Sequence, residues 1–247
     1  MRGAADRSKA TDAQSLTPPR RSETKNLEDP PGLLAFVAVD RAAHLTLREG
    51  RGRALFRLAA MTGMRRGEVC GIRWQDVDLD KGRLGLRQQL NVVRSPGAPN
   101  GGLVFSERTK TDHGRRSIDL DPATVTVLKT QAKRQKEQRL LMGAGWSNVH
   151  DLVFTKPDGS PLDPESVAKV FDRRVARAGL PRLRFHGLRH THVAHLIAAK
   201  EQPLMIARRL GHGSAAFTQD RYGHLFEQAG SQAASAVAAM VDGTTAV

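Results

Sequence analysis

The segment LGHGSAAFTQDRYGHL, residues 210–225, contains Tyr222, the only tyrosine in the 247-residue chain. His212 precedes this phenol in the same segment, and His186 and Arg189 stand further upstream in RFHGLRH. A lone phenol taken by itself predicts a half-buried side chain at a helix end, because phenols usually pack. Combined with these cationic neighbours, it predicts a nucleophile surrounded by groups that grip a phosphate.

Helix-starting prolines upstream of this segment, and helix-ending glycines upstream of it and within it, predict a mainly helical chain. Pro122, Pro164 and Pro203 suit the first turn of a helix, and Gly63 and Gly211 suit the residue after its end. An Ala-rich helical tail is expected to continue to about residue 240. The predicted helices are 54–63, 122–141, 163–178, 186–200, 203–210 and 214–222.

The middle of the chain predicts strands. Residues 77–93, 103–110 and 115–120 are rich in strand-forming residues and are separated by turn-forming sequences, so a three-stranded meander is expected. The predicted fold class is therefore mainly α with a small antiparallel three-stranded sheet, an α+β arrangement. Residues 1–27 have almost no large apolar side chains and predict a disordered basic tail before the folded part, 28–226, and a C-terminal helical tail, 227–247.

Charge indicates the class of partner. The chain has 39 Lys and Arg against 25 Asp and Glu, a net charge of +14, which favours a polyanion such as nucleic acid. The alternative is a generically basic protein. Aromatic residues are only 4%, too few for base-stacking platforms, so contact with a duplex backbone is the better prediction.

The remaining composition points to a protein of the cytoplasm. The single cysteine, Cys70, excludes an intramolecular disulfide and fits a reducing compartment. No apolar run is long enough for a membrane span, and the N-terminal residues lack the apolar block of a signal peptide. No membrane partner is expected.

Further cations are placed where they suit phosphate chemistry. His186 and Arg189 are three residues apart, so on a helix they project from one side near its N-terminus, where free N–H groups favour an anion. Arg65 follows a glycine-ended helix in TGMRRGE, where its guanidinium can form a two-pronged contact with phosphate oxygens. Lys110 lies between two predicted strands, at a position suited to delivering a proton.

Four segments, in this order, resemble the catalytic domain of the tyrosine recombinases, the phage-integrase family. The resemblance covers residues 27–226. A single H-x-x-R or Gly-His match would be weak evidence, because either arises readily by chance, but four motifs in order are specific. The matching segments are TGMRRGEVCGIRWQDVDLD, RTKTDHGRRSIDL, HGLRHTHVAHLI and LGHGSAAFTQDRYGHL.

The resemblance implies a role for each matching residue. Arg65 and Arg189 would clamp the non-bridging oxygens of the scissile phosphate, and His212 would add a hydrogen bond to it. His186 would assist Tyr222 as hydrogen-bond partner or base. Tyr222 would attack the phosphorus and form a 3′-phosphotyrosyl intermediate.

The same resemblance implies the rest of the reaction and its partners. Lys110 would protonate the leaving 5′ oxygen, Glu68 would orient its neighbours, and Arg115 and Arg116 are predicted to contact DNA. Energy is stored in the covalent link, so no cofactor, metal or ATP is expected. The expected partner is double-stranded DNA, on which the protein would assemble as a tetrameric synapse. The expected location is the nucleoid in the cytoplasm.

Two alternative functions stay open at this point. Residues 206–222 superficially resemble a helix-turn-helix, which would suit a non-catalytic or truncated DNA-binding module. A type IB topoisomerase-like enzyme would share the chemistry but only relax DNA. Clustered His186, His190, His192 and His195 suggest zinc, but without a Cys pair or an H-E-x-x-H pattern metal binding is not expected.

The N-terminus departs from the pattern of the family. Members usually have a helical DNA-clamping domain ahead of the catalytic domain, whereas only a tail precedes the match here. This core-binding domain is therefore expected to be absent, and with it much of the site preference.

Overall fold

The computed structural model describes residues 51–93, 102–107, 116–212, 214–223 and 225–226. The predictions for the tail 1–27, for Lys110 and Arg115, and for the helical tail 227–247 lie outside these ranges. No helix within the described ranges is both long enough and apolar enough to cross a bilayer.

Seven helices account for most of the described residues, and their ends follow the predicted signals. The Asp121 side chain accepts a hydrogen bond from the backbone N–H of Thr124 ahead of Pro122. Gly63 and Gly211 have φ values of +65° and +66°, the left-handed conformation that ends a helix. The helices are α1 (Arg51–Thr62), α2 (Arg66–Cys70), α3 (Pro122–Met142), α4 (Pro164–Arg177), α5 (Gly187–Ala198), α6 (Pro203–Leu210) and α7 (215–223).

Five short strands form two small antiparallel sheets among the described residues. One sheet has the order β1-β2-β5 and the other pairs β3 with β4. The strands are β1 (Val77–Asp78), β2 (Arg83–Leu86), β3 (Gln88–Val92), β4 (Leu103–Glu107) and β5 (Arg116–Asp119). A mainly helical fold with a small antiparallel three-stranded sheet is confirmed.

The predicted meander is wrong in its strand order. The stretch 77–93 is divided into three strands, and β5 pairs with β2 rather than with β4. In this pairing Leu84 lies opposite Ile118, and both side chains are buried. Alternating apolar residues are common to all these strands, so the pattern alone does not select the partner.

Two hydrophobic clusters hold the elements together. In the larger one α1 packs against α3 and α5, and the rings of Phe56, Phe171 and Phe185 lie 5.3 to 6.2 Å apart. The smaller one joins α5, α6 and α7 and includes Leu210 and Tyr222. Tyr222 is therefore anchored against the helix that carries His186 and Arg189.

Candidate active site

Arg189 is buried at the junction of three helices. It lies in the first turn of α5, and its side chain reaches the ends of α1 and α6. Nη1 donates to the carbonyl of Gly63 at 2.8 Å, and Nη2 donates to the carbonyl of Leu210 at 2.9 Å. Burial, with the positive charge of Arg65 next in importance, lowers the pKa of Arg189 to about 10. The guanidinium is thus fixed in position and charged at neutral pH.

Glu68 is fully buried and connects two arginines. Its Oε1 accepts a hydrogen bond from Arg65 Nη1 at 3.0 Å, and its Oε2 accepts one from Arg116 Nη2 at 2.9 Å. The backbone N–H of Arg65 also donates to Oε2, at 2.8 Å. Arg65 precedes α2 and keeps 39% of its side chain exposed, so the carboxylate aims a guanidinium that remains accessible.

Arg116 is directed into the protein. Its side chain is 6% exposed and, besides the pair with Glu68, its Nε donates to the carbonyl of Arg209 at 2.7 Å. These internal contacts favour a role in positioning Glu68. The direct contact with DNA expected of Arg116 stays a prediction.

His212 is held by α7. It follows the left-handed Gly211, and its Nδ1 lies 2.8 Å from Thr218 Oγ1 while its ring packs edge-on against Phe217. Burial and then the charges of Arg189 and Arg65 lower the pKa of His212 to about 4. The imidazole is therefore neutral at pH 7.

Tyr222 contacts a histidine that sequence reasoning did not select. The phenol is 4% exposed, and its hydroxyl lies 2.8 Å from His190 Nδ1. The ring of His190 also stands perpendicular to that of His186, with centroids 4.8 Å apart. A usable signal was present, because His186 and His190 are four residues apart and share one face of α5.

Burial is the main cause of the pKa shifts of Tyr222, His190 and His186. It raises the pKa of Tyr222, against the lowering effect of Arg189 and Arg221. It lowers the pKa of His190 to about 4, with His186 as the next cause. Partial burial and then Arg189 also lower the pKa of His186. The phenol is protonated and His190 is neutral at pH 7.

The buried His192 and the partly buried Arg209 are hydrogen-bonded to each other. Arg209 Nε donates to His192 Nε2 at 3.2 Å, and burial, followed by the charge of Arg209, lowers the pKa of His192 to about 3. Arg209 belongs to α6 and also accepts the bond from Arg116 through its carbonyl. Arg209 thereby links α5 and α6 to strand β5.

The structure brings five of the six predicted catalytic residues into one electrostatic neighbourhood, with Lys110 outside the described ranges. Arg65 and Arg189 both influence His186 and His212, and Arg189 influences Tyr222. Within the part of the chain that the structure describes, no three His, Cys, Asp or Glu side chains are grouped as metal ligands. The arrangement presents two guanidinium groups and neutral imidazoles beside a phenol, which suits a phosphodiester.

Residues 38–229 match the phage integrase family. The chain belongs to that family. A tyrosine recombinase XerC-like protein of Caldanaerobacter subterraneus subsp. tengcongensis is 29% identical over 184 residues, covering 72% of this chain and 47% of the relative. An integrase of Streptomyces ambofaciens is 31% identical over 201 residues, covering 76% and 48%. The chain spans about half the length of the curated relatives it matches.

Solved structures share the fold. The Tn1549 transposon integrase, in complex with a circular intermediate DNA, superposes with a TM-score of 0.62 at 19% identity, covering 73% of this chain and 58% of that one. The XerA recombinase gives a TM-score of 0.57 at 21% identity, covering 74% and 57%. The described helices and sheets therefore form the fold of a tyrosine recombinase catalytic domain.

Proposed function

We propose that this chain is a site-specific DNA recombinase or integrase that cleaves and rejoins duplex DNA through a 3′-phosphotyrosyl intermediate. The observation that supports this most is the position of the sole tyrosine. Tyr222 packs against α5, and that helix carries the buried, charged Arg189. A phenol without another tyrosine in the chain is thus placed beside a guanidinium suited to a phosphate.

The two arginines would stabilise the charge that develops on the scissile phosphate. Arg189 is held by two backbone carbonyls and Arg65 by the Glu68 carboxylate, so neither has to reorganise during the reaction. Preorganised charge of this kind is where phosphoryl transfer gains most of its rate. His212, fixed by Thr218, would add a hydrogen bond to the same phosphate.

The covalent step would exchange one ester for another. The bond between Tyr222 Oη and phosphorus forms, the bond between phosphorus and the 5′ oxygen breaks, and Lys110 would supply the proton that the 5′ oxygen takes. The reverse step uses the 5′ hydroxyl of a second strand. Because the ester is conserved, we propose that neither ATP nor a divalent metal is required.

Double-stranded DNA is the proposed partner. The net charge of +14 favours binding to phosphates, and family membership and the fold support the same partner. A tetrameric synapse on DNA belongs to this proposal, as does a location in the cytoplasm at the nucleoid.

The test is covalent capture of DNA by the full chain and by Tyr222→Phe. Nicked duplexes with a randomised central sequence are incubated with each protein, and adducts that survive denaturation are counted and sequenced. The wild-type chain is expected to form adducts with and without EDTA and with only a weak sequence preference, and Tyr222→Phe is expected to form none.

Binding provides the control for this test. Tyr222→Phe removes a hydroxyl and no charge, so its affinity for duplex, measured at two salt concentrations, should equal that of the wild type. Adducts in the Tyr222→Phe protein would exclude Tyr222 as the nucleophile. Loss of adducts in EDTA, restored by magnesium, would exclude the metal-free reaction, and binding without any wild-type adduct would favour a non-catalytic DNA-binding module.

A further inference from the structure

His190 is the residue that touches the reacting atom of the proposed nucleophile. Its Nδ1 lies 2.8 Å from the hydroxyl of Tyr222, within ordinary hydrogen-bond distance. It directly follows Arg189 on α5, so the helix that carries a proposed phosphate ligand also carries this contact. We propose that His190 receives the phenol proton when Tyr222 attacks DNA, an inference that rests on the proposed function.

The direction of the hydrogen bond supports proton transfer. A neutral imidazole has one nitrogen that donates and one that accepts, whereas a protonated imidazole has no acceptor. The lowered pKa of His190 keeps this ring neutral at pH 7, and the raised pKa of Tyr222 keeps the phenol protonated. The phenol therefore donates, and Nδ1 accepts.

The charged groups around His190 bear on the same step. His186 and Arg189 approach it from its own helix, and Arg221 and Tyr222 approach it from α7. The positive charges of Arg189 and Arg221 oppose an imidazolium in the free protein. A bound phosphodiester carries a negative charge that offsets them, so proton transfer becomes favourable when DNA occupies the site.

The proton balance of the step is complete. As the bond between Tyr222 Oη and phosphorus forms, the phenol proton moves to His190 Nδ1 and the ring becomes an imidazolium. The 5′ oxygen departs with a proton from a separate acid. In the rejoining step the proton on Nδ1 returns to Tyr222 Oη, so no external reactant is consumed.

The contact between His190 and Tyr222 also suggests a positioning role for His186. The ring of His186 packs perpendicular to the ring of His190, whose Nδ1 lies beside the Tyr222 hydroxyl. His186 is then a positioning group for His190, in addition to any contact with the phosphate.

Two substitutions separate proton transfer from simple hydrogen bonding. His190→Leu removes both functions, whereas His190→Asn keeps an acceptor oxygen near the position of Nδ1 but supplies no base. Both are expected to slow adduct formation on the captured duplex by about 100-fold or more, the range of general base catalysis. DNA affinity should not change, and His195→Asn, on the last turn of the same helix, should cleave at the wild-type rate.

Each result decides the inference. A wild-type rate in His190→Asn would mean that His190 only orients the phenol, and a faster rate in either variant would mean that it restrains Tyr222; both overturn proton transfer. If the wild-type chain itself forms no adduct, the proposed function fails instead.

A measurement independent of catalysis checks the contact itself. In the ¹⁵N spectrum of the folded wild-type chain, Nδ1 of His190 should behave as an unprotonated acceptor, and its resonance should shift in Tyr222→Phe. An unchanged resonance would show that the hydrogen bond is absent and would overturn the inference, whatever the adduct assay gives.

Discussion

At the scale of single residues, the site depends on one buried carboxylate. Glu68 has no exposed surface and pairs with Arg65 on one side and Arg116 on the other. Taking a charge out of water is costly unless its partners remain, so this carboxylate and its arginines stabilise the fold only together. Because the Glu68 carboxylate is fully buried, it holds the guanidinium of Arg65 in a fixed orientation.

Glu68→Gln is expected to lower the free energy of unfolding by about 3 to 5 kcal/mol, because it leaves the buried guanidinium of Arg116 without its counter-charge. Urea unfolding measures the loss. Asp119→Asn is the matched control, since Asp119 pairs with Arg83 at the surface and such pairs contribute less than about 1 kcal/mol. Equal losses in the two variants would show that the Glu68 pair is as weak as a surface ion pair.

At the scale of elements, the ends of the helices build the site. Gly63 ends α1 and its carbonyl accepts from Arg189, and the carbonyl of Leu210 at the end of α6 also accepts from Arg189. The left-handed turn at Gly63 also brings the chain directly to Arg65 and α2. Helix ends leave carbonyl groups without partners in the helix, which suits them to hold a guanidinium.

Two glycines that end helices with the same backbone conformation differ in their surroundings, so substituting each one separates the effect on the helix end from the effect on the site. Gly63 and Gly179 have φ values of +65° and +66°. A Cβ at Gly63 would lie 2.8 Å from both His192 Cδ2 and Leu210 Cδ2, whereas a Cβ at Gly179 meets nothing within 4 Å. Gly179→Ala should therefore cost only the left-handed strain, about 1 to 2 kcal/mol.

Gly63→Ala should cost about 1 to 3 kcal/mol more than Gly179→Ala, because neighbouring side chains must also move. It should slow adduct formation as well, since the carbonyl that holds Arg189 shifts with the backbone. Thermal or urea unfolding and the adduct assay measure the two effects. Similar behaviour of the two variants would mean that the space around Gly63 relaxes without disturbing Arg189.

At the scale of the whole molecule, buried neutral histidines surround a strongly basic site. Burial lowers the pKa of His190 and His212 to about 4 and that of His192 to about 3. In the unfolded chain a histidine titrates near 6.5. Below that pH the unfolded state binds more protons than the folded one, so the stability that these histidines provide is complete above pH 6.5 and decreases toward pH 4.

The free energy of unfolding should therefore fall steadily between pH 6.5 and pH 4. His192→Gln should be less stable at pH 7 but should show a smaller slope in this window, by about one proton, because one depressed pKa is removed. Urea unfolding at several pH values between about 5 and 6.5, where ordinary carboxylates are mostly ionised, measures both slopes. An unchanged slope would show that His192 titrates alike in the folded and unfolded chains.

The sequence by itself determined the local features of this protein. Pro122 and Asp121 begin a helix, and Gly63 and Gly211 end helices, because caps and left-handed glycines act on groups within one turn. Ordered motifs also selected the catalytic candidates Arg65, His186, Arg189, His212 and Tyr222, and their catalytic roles stay a prediction. Family membership through residues 38–229 confirms the resemblance to the phage-integrase family that these motifs indicated.

Only the tertiary structure decided how distant groups pair. β5 joins β2 because that register buries Leu84 against Ile118, and strand patterning alone does not distinguish this from a meander. Arg189 reaches a carbonyl 126 positions away, and Tyr222 reaches His190 across 32 positions. Such contacts have no local signal, because they form only when packing of the apolar faces brings the helices together and excludes water from the polar groups between them.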